Sequence, residues 1–441
     1  MPRTLTAPPA LSDDLAALRA HFAPLLDRIR AGAVEREIER RLPHEEIRAL
    51  DEAGFGTLRV PAEHGGPGVS IATLTALLVD LAAADSNVAH QYRSHLGFLE
   101  SLRFQPAAVQ EHWYPRVLSG ATVGNASTER GGNRLGTLGT TLTAGADGTT
   151  RLNGTKYYST GTIFADYTRV SAALEGQDGR RFAVIATDAP GVRIEDDWDG
   201  FGQKLTGTGT TVLEDVEVEA LAVLEREPRG LEATHEAAFF QHVLLAVLAG
   251  IARAARDDAA TLVASRARTF NTGSGVPFRE DPLILEAVGR IAAKAHSAEA
   301  VVERTARALD AGIAAATDPA SGDPATGASG LRGVDRAELE VEQAQISVPE
   351  LALGAAQELF LTVGASATSR TKAYDRHWRN AQTVATHNPI AFRARAIGDH
   401  LVNGTVPEGL NAIGDATSGS AASNSTASTS TVARQEQGTR A

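Results

Sequence analysis

Between Thr140 and Val218 the chain changes its hydrophobic period, and that change restricts its fold more than any other feature. Runs rich in β-branched and apolar residues at Thr168–Leu174, Arg181–Thr187, Val192–Glu195 and Thr210–Val218 are separated by turn signals. Leu142 to Leu152 reads as a hairpin around Asp147-Gly148. No helical pattern alternates with these runs, so a small barrel or sandwich is expected and a doubly wound sheet is excluded. Thr206-Gly-Thr-Gly-Thr-Thr lacks the spacing of a phosphate loop, and its glycines read as sharp turns between strands.

On both sides the period is helical. Ser12-Asp-Asp is a candidate N-cap for Leu15, Leu18, Phe22, Leu25 and Leu26, and further helices are expected at Glu45–Ala53, Ile71–Ala84 and Asn87–Glu100. Beyond the sheet, four more are expected: Phe239–Arg266, Leu283–Asp310, Val334–Val363 with an interruption at Pro349, and Ala391–Val402. The fold class is therefore α+β. An N-terminal helical domain spans residues 1–118, a central β-barrel 119–232 and a C-terminal four-helix bundle 233–411, while a Ser/Thr/Ala-rich tail, 412–441, has no apolar period and should be disordered.

Composition removes whole classes of function. A formal charge of −12 argues against a nucleic-acid binder. With no cysteine there is no disulfide framework, thiolate-metal site or cysteine nucleophile. No signal core is seen and no apolar run reaches the roughly 18 residues of a membrane span, so a cytoplasmic protein is expected. There is also no dinucleotide fingerprint, so any NAD(P)H would be used elsewhere.

Near the end of the folded part, Asp375-Arg-His-Trp-Arg-Asn leads through Ala-Gln-Thr-Val-Ala-Thr into His387-Asn388-Pro389. Imidazole is the side chain that exchanges protons near neutrality, and the proline fixes the turn that presents it. Alone, the segment is equally a helix end with a capping histidine.

Five stretches together resemble the acyl-CoA dehydrogenase superfamily, in its flavin-dependent monooxygenase branch that includes dibenzothiophene and alkylsulfone monooxygenases. They are His90 with Arg93-Ser-His-Leu-Gly-Phe, Gly124-Asn-Ala-Ser-Thr-Glu, Gly154-Thr-Lys-Tyr-Tyr-Ser-Thr-Gly, Trp198 to Thr211, and Asp375 to Asn380. The resemblance implies a flavin between barrel and bundle and a homotetramer. It places Asn125, Ser127, Thr128, Ser159 and Thr160 at the flavin, and Arg268 at its phosphate, with Arg370, Arg376 and Arg379 as further candidates. A guanidinium suits phosphate because several donors meet several acceptors. His90, Ser94 and His95 match the helix that lines the substrate side, and Ser94 stands where relatives carry tyrosine.

Within the superfamily the resemblance separates two chemistries. Dehydrogenases use a carboxylate to take the proton beside a thioester carbonyl. At the two places where the superfamily keeps it, this chain has Asn388 and Gly250, neither of which is a base. The monooxygenases instead react reduced flavin with O2 to a peroxide adduct, sheltered by a histidine and a Ser or Thr, which His387 and Thr160 match, with Ser159 and His90 beside them. The expectation is a two-component monooxygenase that receives reduced FMN from a separate NAD(P)H-flavin reductase and oxygenates a small organosulfur or aromatic compound. An FAD-dependent acyl-CoA dehydrogenase with a displaced base, and a non-catalytic scaffold, are the alternatives.

Overall fold

The computed structural model describes residues 9–130, 138–145, 149–177, 179–228, 230–267, 269, 273–317 and 331–405. Five helices come first: α1 (Leu15–Glu39), α2 (His44–Glu52), α3 (Ile71–Ala84), α4 (Ser86–Leu102) and α5 (Ala107–Leu118). The cap of α1 is Asp14, whose carboxylate accepts from the amides of Ala16 and Ala17. Asp85 closes α3, caps α4 through the Asn87 amide and holds the buried guanidinium of Arg36 at 2.8 Å.

The middle of the chain forms one eight-stranded curled sheet. Its strands are β1 (Val123–Ala126), β2 (Thr141–Ala144), β3 (Thr150–Lys156), β4 (Tyr167–Leu174), β5 (Arg180–Ala186), β6 (Val192–Ile194), β7 (Thr211–Val218) and β8 (Val223–Glu225). They run β6-β7-β3-β2-β4-β5-β8, with β1 parallel to β4. β2 and β3 pair antiparallel as the hairpin requires, although Asp147-Gly148 itself lies outside the described residues. β1 and β8 are additions to the sequence reading.

The bundle consists of α6 (Leu231–Ser265), α7 (Pro282–Thr317), α8 (Gly333–Val363), α9 (Asp375–Ala385) and α10 (Ile390–Asn403). One expectation is corrected here: α8 runs through Pro349 without a break. Packing against both α6 and α7 outweighs the one hydrogen bond the ring removes. By length and composition α6 could cross a membrane, but 83% of its most apolar window is buried, as befits a core helix. A single apolar core joins α1, α3 and α4 to α6, α7, α8 and α9, and a second fills the sheet under α5.

Three of the buried histidines, His90, His95 and His242, are neutral. Burial pushes His90 and His95 down to about 4, and His242, bridging Thr75 and Thr305, down to about 3. The unfolded chain protonates them near 6.5 while the folded chain does not, so they support the fold above pH 6.5 and withdraw that support as pH falls towards 4. Each should contribute up to about 1.4 kcal/mol of loss per pH unit in that window. Urea midpoints measured at pH 7 and pH 5 should differ accordingly, and replacing His242 with Gln should flatten the dependence.

Candidate active site

Helix α4 forms the wall that sheet and bundle share. His90, Arg93 and Ser94 sit three and four residues apart, hence on one face. The Ser94 hydroxyl donates to the Thr160 carbonyl at 2.9 Å, and Arg93 Nε donates to the Phe240 carbonyl of α6 at 3.0 Å. One turn on, a Cβ at Gly97 would lie 2.5 Å from the Phe240 ring, so glycine lets α6 come close.

Two strained residues shape the sheet side. After β3, Tyr158 has φ 59°, and in the loop before β7 Gln203 has φ 51°, both left-handed. Gln203 is fixed on three sides. Its amide donates to Asn380 Oδ1 at 2.6 Å, its Nε2 to Ser86 Oγ at 3.2 Å, and its Oε1 meets His90 Nδ1 at 3.1 Å. An amide oxygen only accepts, so Nδ1 of His90 carries the proton. Thr160 Oγ1 meets Thr208 Oγ1 at 2.8 Å, which meets Thr206 Oγ1 at 2.7 Å, a row of three hydroxyls. Gly207 has φ 62°, and a Cβ at Gly209 would lie 2.0 Å from the Glu195 carbonyl, so these glycines do serve sharp turns. The threonines between them reach Thr160, which the sequence reading missed.

His387 follows α9 in the turn before α10. It is open to solvent, yet enough protein surrounds it that burial is the first cause of a pKa lowered to about 3, with Arg93 and His90 adding to it. Burial also lowers Arg93 to about 10, which leaves it charged.

The expected site residues divide into three sets. His90, Ser94 and Thr160 gather along α4 through the contacts above, and the charge of Arg93 on the same helix acts on His387. Asn125, Ser127 and Thr128 lie half-buried at and just after β1, next to the segment that follows β3, where Ser127 Oγ donates to Asn125 Oδ1 at 3.1 Å and Thr162 Oγ1 to the Asn125 carbonyl at 3.5 Å. The remainder do not converge. His95 faces away: its Nδ1 accepts from the Val123 amide and its Nε2 donates to the Gly56 carbonyl at 2.6 Å, leaving nothing for a substrate. The side chain of Ser159 is buried, and its Oγ has no hydrogen-bond partner among the described residues. Arg376 spends its guanidinium on Asp258 and the Ala373 carbonyl, Arg379 pairs with Glu37 and Asp375, and Arg370 is exposed. Arg268 lies outside the described residues.

These groups suit a flavin ring. Asn125, Ser127, Thr128 and Thr160 offer half-buried amide and hydroxyl groups on the sheet side. Among the buried carboxylates of the bundle, Glu236 is paired with Arg169 and Arg226, and Glu342 with Arg393. At Gly250 a Cβ would fall 2.4 Å from Ala82 Cβ and 2.8 Å from the Val79 carbonyl, so α3 leaves no room for a longer side chain there.

Models of the acyl-CoA dehydrogenase N-terminal, middle and C-terminal domains match residues 12–121, 125–216 and 242–392. Dibenzothiophene monooxygenase of Rhodococcus qingshengii is 28% identical over 402 residues, covering 87% of this chain and 92% of that protein. The probable FMNH2-dependent monooxygenase SfnC of Pseudomonas putida is 28% identical over 384 residues, 85% of this chain and 92% of that one. The FMN and indole complex of TdsC from Paenibacillus sp. A11-2 superposes with a TM-score of 0.79 at 27% identity, covering 90% of this chain and 99% of that one. Three domain models in order and full-length likeness to flavin-using oxygenases lead to one assignment: the chain belongs to the acyl-CoA dehydrogenase family, in its flavin-dependent monooxygenase branch.

Proposed function

We propose that this protein is the oxygenase of a two-component system, a cytoplasmic homotetramer that takes reduced FMN from a separate NAD(P)H-flavin reductase. The overall reaction balances as substrate, O2 and FMNH2 giving oxygenated substrate, FMN and water. Bound reduced FMN would supply the two electrons, and one oxygen atom passes to the substrate. The observation that carries this reading is the neutral imidazole of His387 next to Asn388, the residue that stands where the family's dehydrogenases carry their carboxylate, and the flavin would lie in a cleft between this turn, α4 and the sheet. That dibenzothiophene monooxygenase and the probable FMNH2-dependent monooxygenase SfnC align over nearly their whole length supports an organosulfur or aromatic substrate. So does the aromatic surface beside Thr160. Tyr158 is 48% exposed with its ring edge-on to Trp198 at 5.8 Å, and Phe201 stacks on Trp378 at 5.9 Å, flat apolar partners for a flat molecule.

This chain's own residues would divide the work. Asn125, Ser127, Thr128 and Thr160 orient the ring through hydrogen bonds. Arg268 holds the phosphate, and α4 with Phe240 keeps water from one side. His387 manages a proton or hydrogen bond at one ring nitrogen. The test is turnover with an added flavin reductase under 18O2, with dibenzothiophene and short sulfones as substrates. One labelled atom should appear per product molecule, and label only in hydrogen peroxide and water with every substrate would defeat the proposal. Replacing Arg268 with Ala should weaken FMN binding by about 2 kcal/mol, roughly thirtyfold, measured by flavin fluorescence titration. The same titration with FAD should show the weaker affinity.

A further inference from the structure

Four buried cations each meet a carboxylate: Arg36 with Asp85, Arg59 with Glu100, Lys156 with Glu129 and Arg169 with Glu236. Arg93 of α4 is arranged differently. It is half-buried and forms no ion pair among the described residues. Phe240 of α6 holds it in two ways: Arg93 Nε donates to that residue's carbonyl at 3.0 Å, and the guanidinium carbon stands over its ring, 4.6 Å from the centre. The ring is fixed in turn by the close approach of α4 at Gly97. Nη1 and Nη2, the ends of the fork that suit an oxyanion, have no hydrogen-bond partner among the described residues. The carboxylate whose charge acts on Arg93, Glu236, is one turn back on α6 and is already shared by Arg169 and Arg226.

This spare guanidinium sits beside the groups of the proposed site. His90 precedes it by one turn of α4, and Ser94, which donates to the Thr160 carbonyl, follows it directly. On α6, Gln241 follows Phe240, and its side chain meets the amide of Asn388, next to His387, at 2.7 Å. Gln345 of α8 meets the same amide at 3.1 Å. Arg93 is thus held between α4 and the segment of α6 that carries the His387 turn, and its charge acts on both His90 and His387. A guanidinium partly withdrawn from water without a counter-ion is costly, and an incoming anion removes that cost. We propose that Arg93 binds the substrate, and that the substrate is an organosulfur or aromatic molecule carrying one compact oxyanion, a carboxylate or a sulfinate, taken by Nη1 and Nη2. The inference rests on the reading of this cleft as the substrate's site and narrows the substrate class within it.

The test is equilibrium binding to the full-length protein at neutral pH, followed by calorimetry without turnover. The probes are benzoate and benzenesulfinate, each set against its uncharged twin, benzamide and benzenesulfinamide. Wild type should prefer an anion over its twin by roughly ten- to a hundredfold, the weight of a charge-assisted contact, and the larger ratio tells carboxylate from sulfinate. In Arg93→Gln that preference should disappear. Arg93→Met, which keeps an aliphatic stem against Phe240, is the second variant, and whichever retains the wild-type circular dichroism decides. Wild-type protein that binds each uncharged twin as tightly as its anion overturns the proposal. So does a preference that survives in the folded variant, which would assign it to another cation. FMN titrated into the same variant gives the last check: lost FMN affinity beside an unmoved anion preference assigns Arg93 to the cofactor and overturns the proposal too. Because the anion measurements use neither flavin nor turnover, a protein that selects the anions but oxygenates nothing would defeat the proposed function and leave this inference standing.

Discussion

Exchanging His387 for alanine should abolish oxygenation while leaving FMN in place. Product formed per FMNH2 oxidised is expected to fall by about 100-fold or more, the usual weight of a positioned proton-handling group. Hydrogen peroxide should account for the missing oxygen, because reduced flavin still meets O2 but the oxygen no longer reaches the substrate. FMN affinity should change less than about threefold, since the ring and phosphate contacts argued above belong to other residues. The fold should hold as well, because His387 is exposed and enters neither apolar core. The measurement is a paired assay of product and peroxide in the same reaction. Unchanged product yield would remove the histidine from the chemistry, and a loss of FMN binding of the same size as the loss of product would reduce it to a binding residue.

What could be read in the sequence, and what could not, follows the range of the forces concerned. The long helices and the longer strands were visible because burial repeats along them, and the short β2 and β6 because turn signals flank them; β1 and β8 had neither. Pro349 misled because local propensity yields to the packing of α8 between two neighbours. In the site, His387 and Thr160 stood out because their residue types and order match a family pattern. Gln203, Gln241, Gln345 and Thr208 carried no such mark. Each is an ordinary polar residue whose partner lies far along the chain: Gln241 meets a residue 147 positions away and Gln345 one 43 away. His95 shows the converse. It shares a helix with His90, but five residues turn it towards β1 and the Gly56 carbonyl, and only the fold reveals that its nitrogens are spent.

Loss of the Glu236 carboxylate should be the most destabilising single change we name, and for a reason separate from chemistry. Glu236 lies on α6 with its side chain 1% exposed, and it accepts from Arg169 of β4 and from Arg226 just beyond β8. Both guanidinium groups also lie over the Phe182 ring of β5, 4.5 and 4.8 Å from its centre. Sheet and bundle are thus joined where one buried anion faces two cations stacked on one ring. Alanine would strand both cations, and breaking a buried pair from one side costs about 3–5 kcal/mol, well above the worth of a surface pair. Glutamine, which keeps an acceptor but not the charge, should lose less. Urea unfolding of the apo protein reads the stability, and flavin titration reads the cleft. Because the sheet is then poorly seated on α6, FMN binding should weaken together with stability, whereas His387→Ala loses product with both preserved. A Glu236→Ala protein as stable as wild type would mean that Phe182 and the surrounding packing hold the two arginines without their anion, and the joint between sheet and bundle would have to be sought in the apolar contacts of α4.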